Sequence, residues 1–74
     1  MFMRDKEHTV VNNVRQARVS LKMTQDELAE KINATRQTVI AIEKGNYTPS
    51  VLLALKIADI IGKKVEELFS YEKI

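Results

Sequence analysis

Apolar side chains recur at helical spacing from residue 14 onward. Val14, Ala17 and Leu21, with Arg18 beside them, predict a first helix that Asn12 or Asn13 caps and that ends near Lys22 without a glycine. Thr24-Gln25-Asp26-Glu27 reads as a capping box, in which the Thr24 hydroxyl accepts from the Glu27 amide and the Glu27 carboxylate accepts from the Thr24 amide. Leu28, Ala29 and Ile32 then form one stripe of a second helix that stops at Asn33, a residue that tolerates the left-handed conformation. Thr35 can cap a third helix over 36–44, with Val39 and Ile42 inward and Gly45 as its C-terminal cap. After the loop Asn46-Tyr47-Thr48-Pro49, Ser50 caps a fourth helix that runs to Ile61 and closes at Gly62. Only Lys56 and Asp59 are charged in that helix, so it should be central and covered on several sides. A short last helix is expected over 65–69. Residues 1–9 are charged and aperiodic and read as a flexible arm preceding one domain over 10–74.

The chain has 74 residues, enough for one compact domain. It has no cysteine, hence no disulfide, and no Cys/His cluster that would hold zinc. The acidic residues Asp26, Glu27 and Glu30 read as a solvated helix face and His8 as an inert residue of the arm. No catalytic residue, metal site, cofactor or small-molecule ligand is expected, and the chain is too short to enclose a substrate pocket. No apolar run approaches the ~18 residues of a membrane span, and the start lacks a secretory signal, which points to the cytoplasm. Twelve Lys and Arg against ten Asp and Glu leave a net charge of +2, so a nucleic-acid partner must be argued from where the charges sit.

They sit well for it. Two short helices, over 25–32 and 36–44, separated by a few residues must cross steeply, which is the geometry of a helix-turn-helix. The second helix then shows Arg36, Gln37, Ile40 and Ala41 outward, with Thr38 and Lys44 towards the flanks. Arg can grip guanine O6 and N7, Gln adenine N6 and N7, and an apolar side chain a thymine methyl.

The segments "MTQDELAEKINATRQTVIAIEKGNYTPS" and "ALKIADIIGKKVEELF" resemble the Cro/repressor-type, xenobiotic-response-element-like helix-turn-helix transcriptional regulators, above all their small single-domain members. The resemblance implies an all-α, five-helix, lambda-repressor-like DNA-binding domain, with room for a short strand pair formed by Val10 and Val11 against residues 69–71. It implies base reading by Arg36, Gln37, Thr38, Ile40 and Ala41. It places Gln25, Thr35, Lys44, Asn46 and Tyr47 on backbone phosphates, with Gln25 also bracing Gln37. Arg18 and Glu43 match a structural ion pair. Three positions depart from the pattern: Lys22 and Asn33 stand where glycine is frequent, and Lys64 replaces the Ser or Thr cap of the last helix.

The expected function is sequence-specific binding of double-stranded DNA by a transcriptional regulator, a repressor on a near-palindromic operator. The alternatives are the antitoxin of a toxin–antitoxin operon, for which only residues 69–74 offer a toxin-binding tail, and a protein-interaction module on the same fold. A homodimer is expected because the apolar stripes of helix 4 exceed what a small core can cover. Its interface is assigned to Ile57, Ile60, Ile61, Leu68, Phe69 and Tyr71 in a C-terminal dimerisation segment.

Overall fold

Polypeptide from both ends meets in an antiparallel strand pair, on which five short helices are hung in sequence. The structure is a computed structural model that describes residues 7–73. Strand β1 (His8–Asn12) leads into α1 (Val14–Ser20), α2 (Gln25–Lys31), α3 (Arg36–Glu43), α4 (Val51–Ile61) and α5 (Val65–Leu68), and β2 (Phe69–Lys73) returns along β1. Val10 lies opposite Tyr71, Val11 opposite Ser70 and Asn12 opposite Phe69. The fold is therefore helical with a small two-stranded sheet, not purely all-α. The arm expected over 1–9 loses His8 and Thr9 to β1; its residues 1–6 lie outside the described residues, as does Ile74 of the tail.

Local chemistry sets the helix ends. Ser50 caps α4 by accepting from the Leu53 amide at 3.1 Å, and Gly62 closes it at φ 80°, where an L side chain is costly. Lys22 and Asn33 occupy the same left-handed region, at φ 57° and 56°. At the start of α5 the Lys64 ammonium has no lone pair to offer the helix. Only the return half of a capping box forms there, with the Glu67 carboxylate accepting from the Lys64 amide at 2.8 Å.

The core lies between the helices. Leu28, Ile32, Val39, Ile42, Ile57 and Leu68 are almost fully enclosed, and Val14, Ala58 and Ile61 complete the cluster. This overturns half of the expected dimer surface. Ile57, Ile61 and Leu68 are 1%, 7% and 2% exposed within a single chain and have nothing to offer a partner. Ile57, Ala58 and Ile61 of α4 are buried in one core, Leu53 and Ile60 pack against it, and Leu68 of α5 joins it. The side of α4 left in solvent is its N-terminal half, where Val51, Leu52 and Leu55 are exposed. Ile60 and Phe69 are partly covered, while Tyr71 is 72% exposed. Among the described residues no helix is long and apolar enough to cross a membrane.

Candidate nucleic-acid interface

The unit that presents α3 is built from caps and turns. The Thr24 hydroxyl accepts from the Glu27 amide at 3.0 Å, and Glu27 Oε1 accepts from the Thr24 amide at 2.9 Å. The Thr24 amide first, and then the Thr24 hydroxyl beside it, hold the Glu27 carboxyl below its ordinary value. Alpha-2 ends through the left-handed Asn33, and the Ala34 amide turns back to donate to Ala29 O at 2.9 Å. Thr35 opens α3 by accepting from the Thr38 amide, and the two threonine hydroxyls lie 3.1 Å apart. Val39 and Ile42 face the core. Arg36 and Gln37 are exposed at the first turn, with Thr38, Ile40 and Ala41 half-buried on the same helix.

At the other end, the Gly45 amide donates to Ile42 O and the Asn46 amide to Ala41 O, around Gly45 at φ 79°. This is the glycine-dependent reversal that satisfies the last carbonyls of a helix. It leaves Lys44, Asn46 and Tyr47 exposed just beyond α3.

Behind this face lies a connected polar network. Arg18 Nε donates to Glu43 Oε2 at 2.6 Å and Arg18 Nη2 to Glu43 Oε1 at 3.1 Å, a two-pronged pair whose side chains are 9% and 3% exposed. The third arm of the guanidinium donates to Met23 O at 2.7 Å. The bond to Glu43 raises the Arg18 pKa above its ordinary value, against the lowering effect of burial. Glu43 Oε1 also accepts from Gln25 Nε2 at 3.1 Å, and Gln25 Oε1 accepts from Arg36 Nε at 3.4 Å. The residue that Gln25 bonds is thus Arg36, where Gln37 was expected. Successive residues of a helix point about 100° apart, and the roll of α3 turns Arg36, not its neighbour, towards the start of α2.

Two contributors escaped the sequence reading. Arg15, exposed on α1, lines an open polar cleft together with Arg18, Thr24, Gln25, Asp26 and Arg36. In sequence it looks like any solvated charge; its relevance comes from where α1 crosses the start of α2. Asn12 was expected only as a cap. Its Oδ1 does accept from the Val14 amide at 3.1 Å, and its Nδ2 donates to Ile42 O at 2.9 Å, tying the strand pair to the last turn of α3.

Comparisons with known proteins converge on one family. The helix-turn-helix family model matches residues 14–68. The chain is 49% identical over 61 residues to an uncharacterised HTH-type transcriptional regulator of Methanocaldococcus jannaschii, covering 82% of this chain and 92% of that protein. It is 47% identical over 62 residues to another, YgzD of Bacillus subtilis, covering 84% and 94%. A solved structure from Bacteroides fragilis shares the fold, with a TM-score of 0.77 at 18% identity over 84% of this chain and all of that one. The chain belongs to the helix-turn-helix family and is not an enzyme.

Proposed function

We propose that this protein is a cytoplasmic transcriptional regulator that binds double-stranded DNA sequence-specifically, laying α3 in the major groove, and that it represses by occluding a promoter. The observation that carries this reading is the first turn of α3. Arg36 and Gln37 are exposed there, on a helix whose opposite side is locked into the core by Val39 and Ile42. Arg36, Gln37 and Thr38 read base edges, and Ile40 and Ala41 offer apolar contact to thymine methyls. Gln25, Thr35, Lys44, Asn46 and Tyr47 hold phosphates, and Arg15 joins them from the cleft. That relatives of similar length are named as transcriptional regulators supports the same role.

The domain, with its start moved back to β1, acts as a symmetric homodimer on a near-palindromic operator, its two recognition helices about 34 Å apart. The apolar surface left outside the core favours this. Ile60, Phe69 and Tyr71 remain available, and Val51, Leu52 and Leu55 take the place of Ile57, Ile61 and Leu68. A shallow apolar hollow formed by Val10, Pro49, Val51, Ala54, Val65 and Phe69 joins Val51 to the strand pair.

Selection of bound sequences from a random duplex library tests the proposal. A single enriched motif with two inverted half-sites is expected; recovery of sequences indistinguishable from the input would refute sequence-specific binding. Sedimentation equilibrium at micromolar concentration tests the dimer. A monomeric mass, together with one chain per duplex when DNA is present, would refute it.

A further inference from the structure

We infer that Glu43 is a positioning residue for the reader Arg36, acting through the Gln25 amide, and that this relay makes Arg36 read a guanine through its two terminal nitrogens. The inference rests on the proposed major-groove reading. Gln25 lies between a carboxylate and a guanidinium, its Nε2 donating to Glu43 at 3.1 Å and its Oε1 accepting from Arg36 Nε at 3.4 Å. A carboxylamide has one donor end and one acceptor end. Turned over, it would set its oxygen against the Glu43 carboxylate and its N–H groups against the Arg36 N–H, so opposite charges at its two ends select one orientation. Glu43 is itself enclosed, its side chain 3% exposed and held by two bonds from Arg18. The chain of contacts therefore runs from a fixed buried anion to an exposed cation on the DNA-facing helix. With Nε engaged, Arg36 keeps its two Nη groups for the groove, and these can span O6 and N7 of one guanine. Ordering the arginine before DNA arrives reduces the rotamer freedom lost on binding.

The test uses the full chain and the variant Gln25→Met, which keeps length and helix propensity but removes both hydrogen-bonding ends. In the free protein, hydrogen exchange of the Arg36 Nε–H is followed by nitrogen-resolved NMR. Protection in the parent and loss of protection in Gln25→Met are expected; equally fast exchange in both overturns the relay with no DNA involved. On duplexes varied one base pair at a time, Arg36→Ala first identifies the pair that Arg36 reads. Gln25→Met should reduce discrimination at that pair by about fivefold or more, the scale of a well-formed bidentate contact. Adding it to Arg36→Ala should reduce discrimination no further. A uniform loss on every duplex with discrimination at that pair intact overturns the inference. Glu43→Gln, if its spectrum is that of a folded chain, should also release the Arg36 Nε–H; protection that survives in this variant removes Glu43 from the relay. A parent that discriminates among no duplexes while its Nε–H is protected would refute the DNA reading and leave the Gln25–Arg36 contact standing.

Discussion

Breaking the Arg18–Glu43 pair should cost this protein a large part of its stability. Glu43 is nearly sealed from water, and Arg18 supplies it with bonds of 2.6 and 3.1 Å. Arg18→Met removes both at once and also strips Met23 O of its 2.7 Å donor. The remaining carboxylate keeps only the neutral Gln25 amide at 3.1 Å. Stranding one partner of a buried pair costs about 3–5 kcal/mol. A domain of this length has a total stability on the order of 4–11 kcal/mol, so the single variant stands close to unfolding. Glu43→Leu leaves the guanidinium unpaired and should cost a similar amount. The double variant, with two apolar groups filling the same space, should recover most of the loss, because the parent pair had itself paid for desolvation. Urea titrations read through the midpoint, with the slope checked for constancy, measure all four species. The loss should be insensitive to ionic strength, since buried charges are screened little. The raised Arg18 pKa adds no pH dependence in the working range. Its contribution is complete below the ordinary unfolded arginine value and fades only as pH rises through the higher folded one. Single losses under about 1 kcal/mol, or losses that simply add in the double variant, would refute the reasoning.

The remaining predictions concern DNA, the turns and acid. Arg36→Ala and Gln37→Ala should each lose ~1–3 kcal/mol on the selected site and relax its preference, read by binding isotherms on matched and scrambled duplexes; equal losses on both would show backbone contact alone. Lys44→Ala and Arg15→Ala should weaken all duplexes alike and each lower the salt slope by about one, whereas Gln25→Ala, which removes no charge, should leave the slope nearly unchanged. Lys22→Gly should stabilise the fold by roughly 0.5–1 kcal/mol in thermal or urea unfolding. A left-handed L residue costs about 1–2 kcal/mol, of which the extra unfolded-state freedom of glycine returns a part. The lowered Glu27 pKa means that the capping bond its carboxylate accepts from the Thr24 amide stabilises above the ordinary unfolded glutamate value and is lost as pH falls through the lower folded one. Glu27→Gln should accordingly flatten that part of an acid-unfolding curve, and an unaltered curve would remove Glu27 from the acid response.

The helices and their ends are legible in the sequence because local chemistry decides them. Thr24 with Glu27, Thr35, Ser50, Gly45 and Gly62 act within a few residues of themselves, and each occupies the cap or turn that its side chain suits. What is not legible depends on how helices roll and cross. Helix α4 is apolar almost all round, so its pattern names no face to leave in water. The core reaches Ala54, Ile57, Ala58 and Ile61, which recur every three or four residues along one side, and Leu52 and Leu55 fall on the other. The choice is made by α5, whose Leu68 is drawn into the core and pulls the chain across the C-terminal part of α4. A four-residue helix with half a capping box carries little signal for such a fold-back.

The same reasoning explains why the site was partly misread while its helix was placed correctly. The identity of the exposed residues at the start of α3 follows from the inward demand of Val39 and Ile42, so Arg36 and Gln37 could be named from spacing alone. Which of them meets Gln25 could not, because that contact depends on the roll of one helix against another, and a single residue step changes the answer. Asn12 shows the converse. Its cap of α1 is a local contact, but its bond to Ile42 O joins residues thirty positions apart and exists only because the strand pair brings the two termini beneath the last turn of α3. The strand pair thus does more than close the chain ends. It supplies a second donor to Ile42 O, a carbonyl of the last turn of α3 that also accepts from the Gly45 amide, and so the terminal segments help to set the pose of the helix proposed to meet DNA.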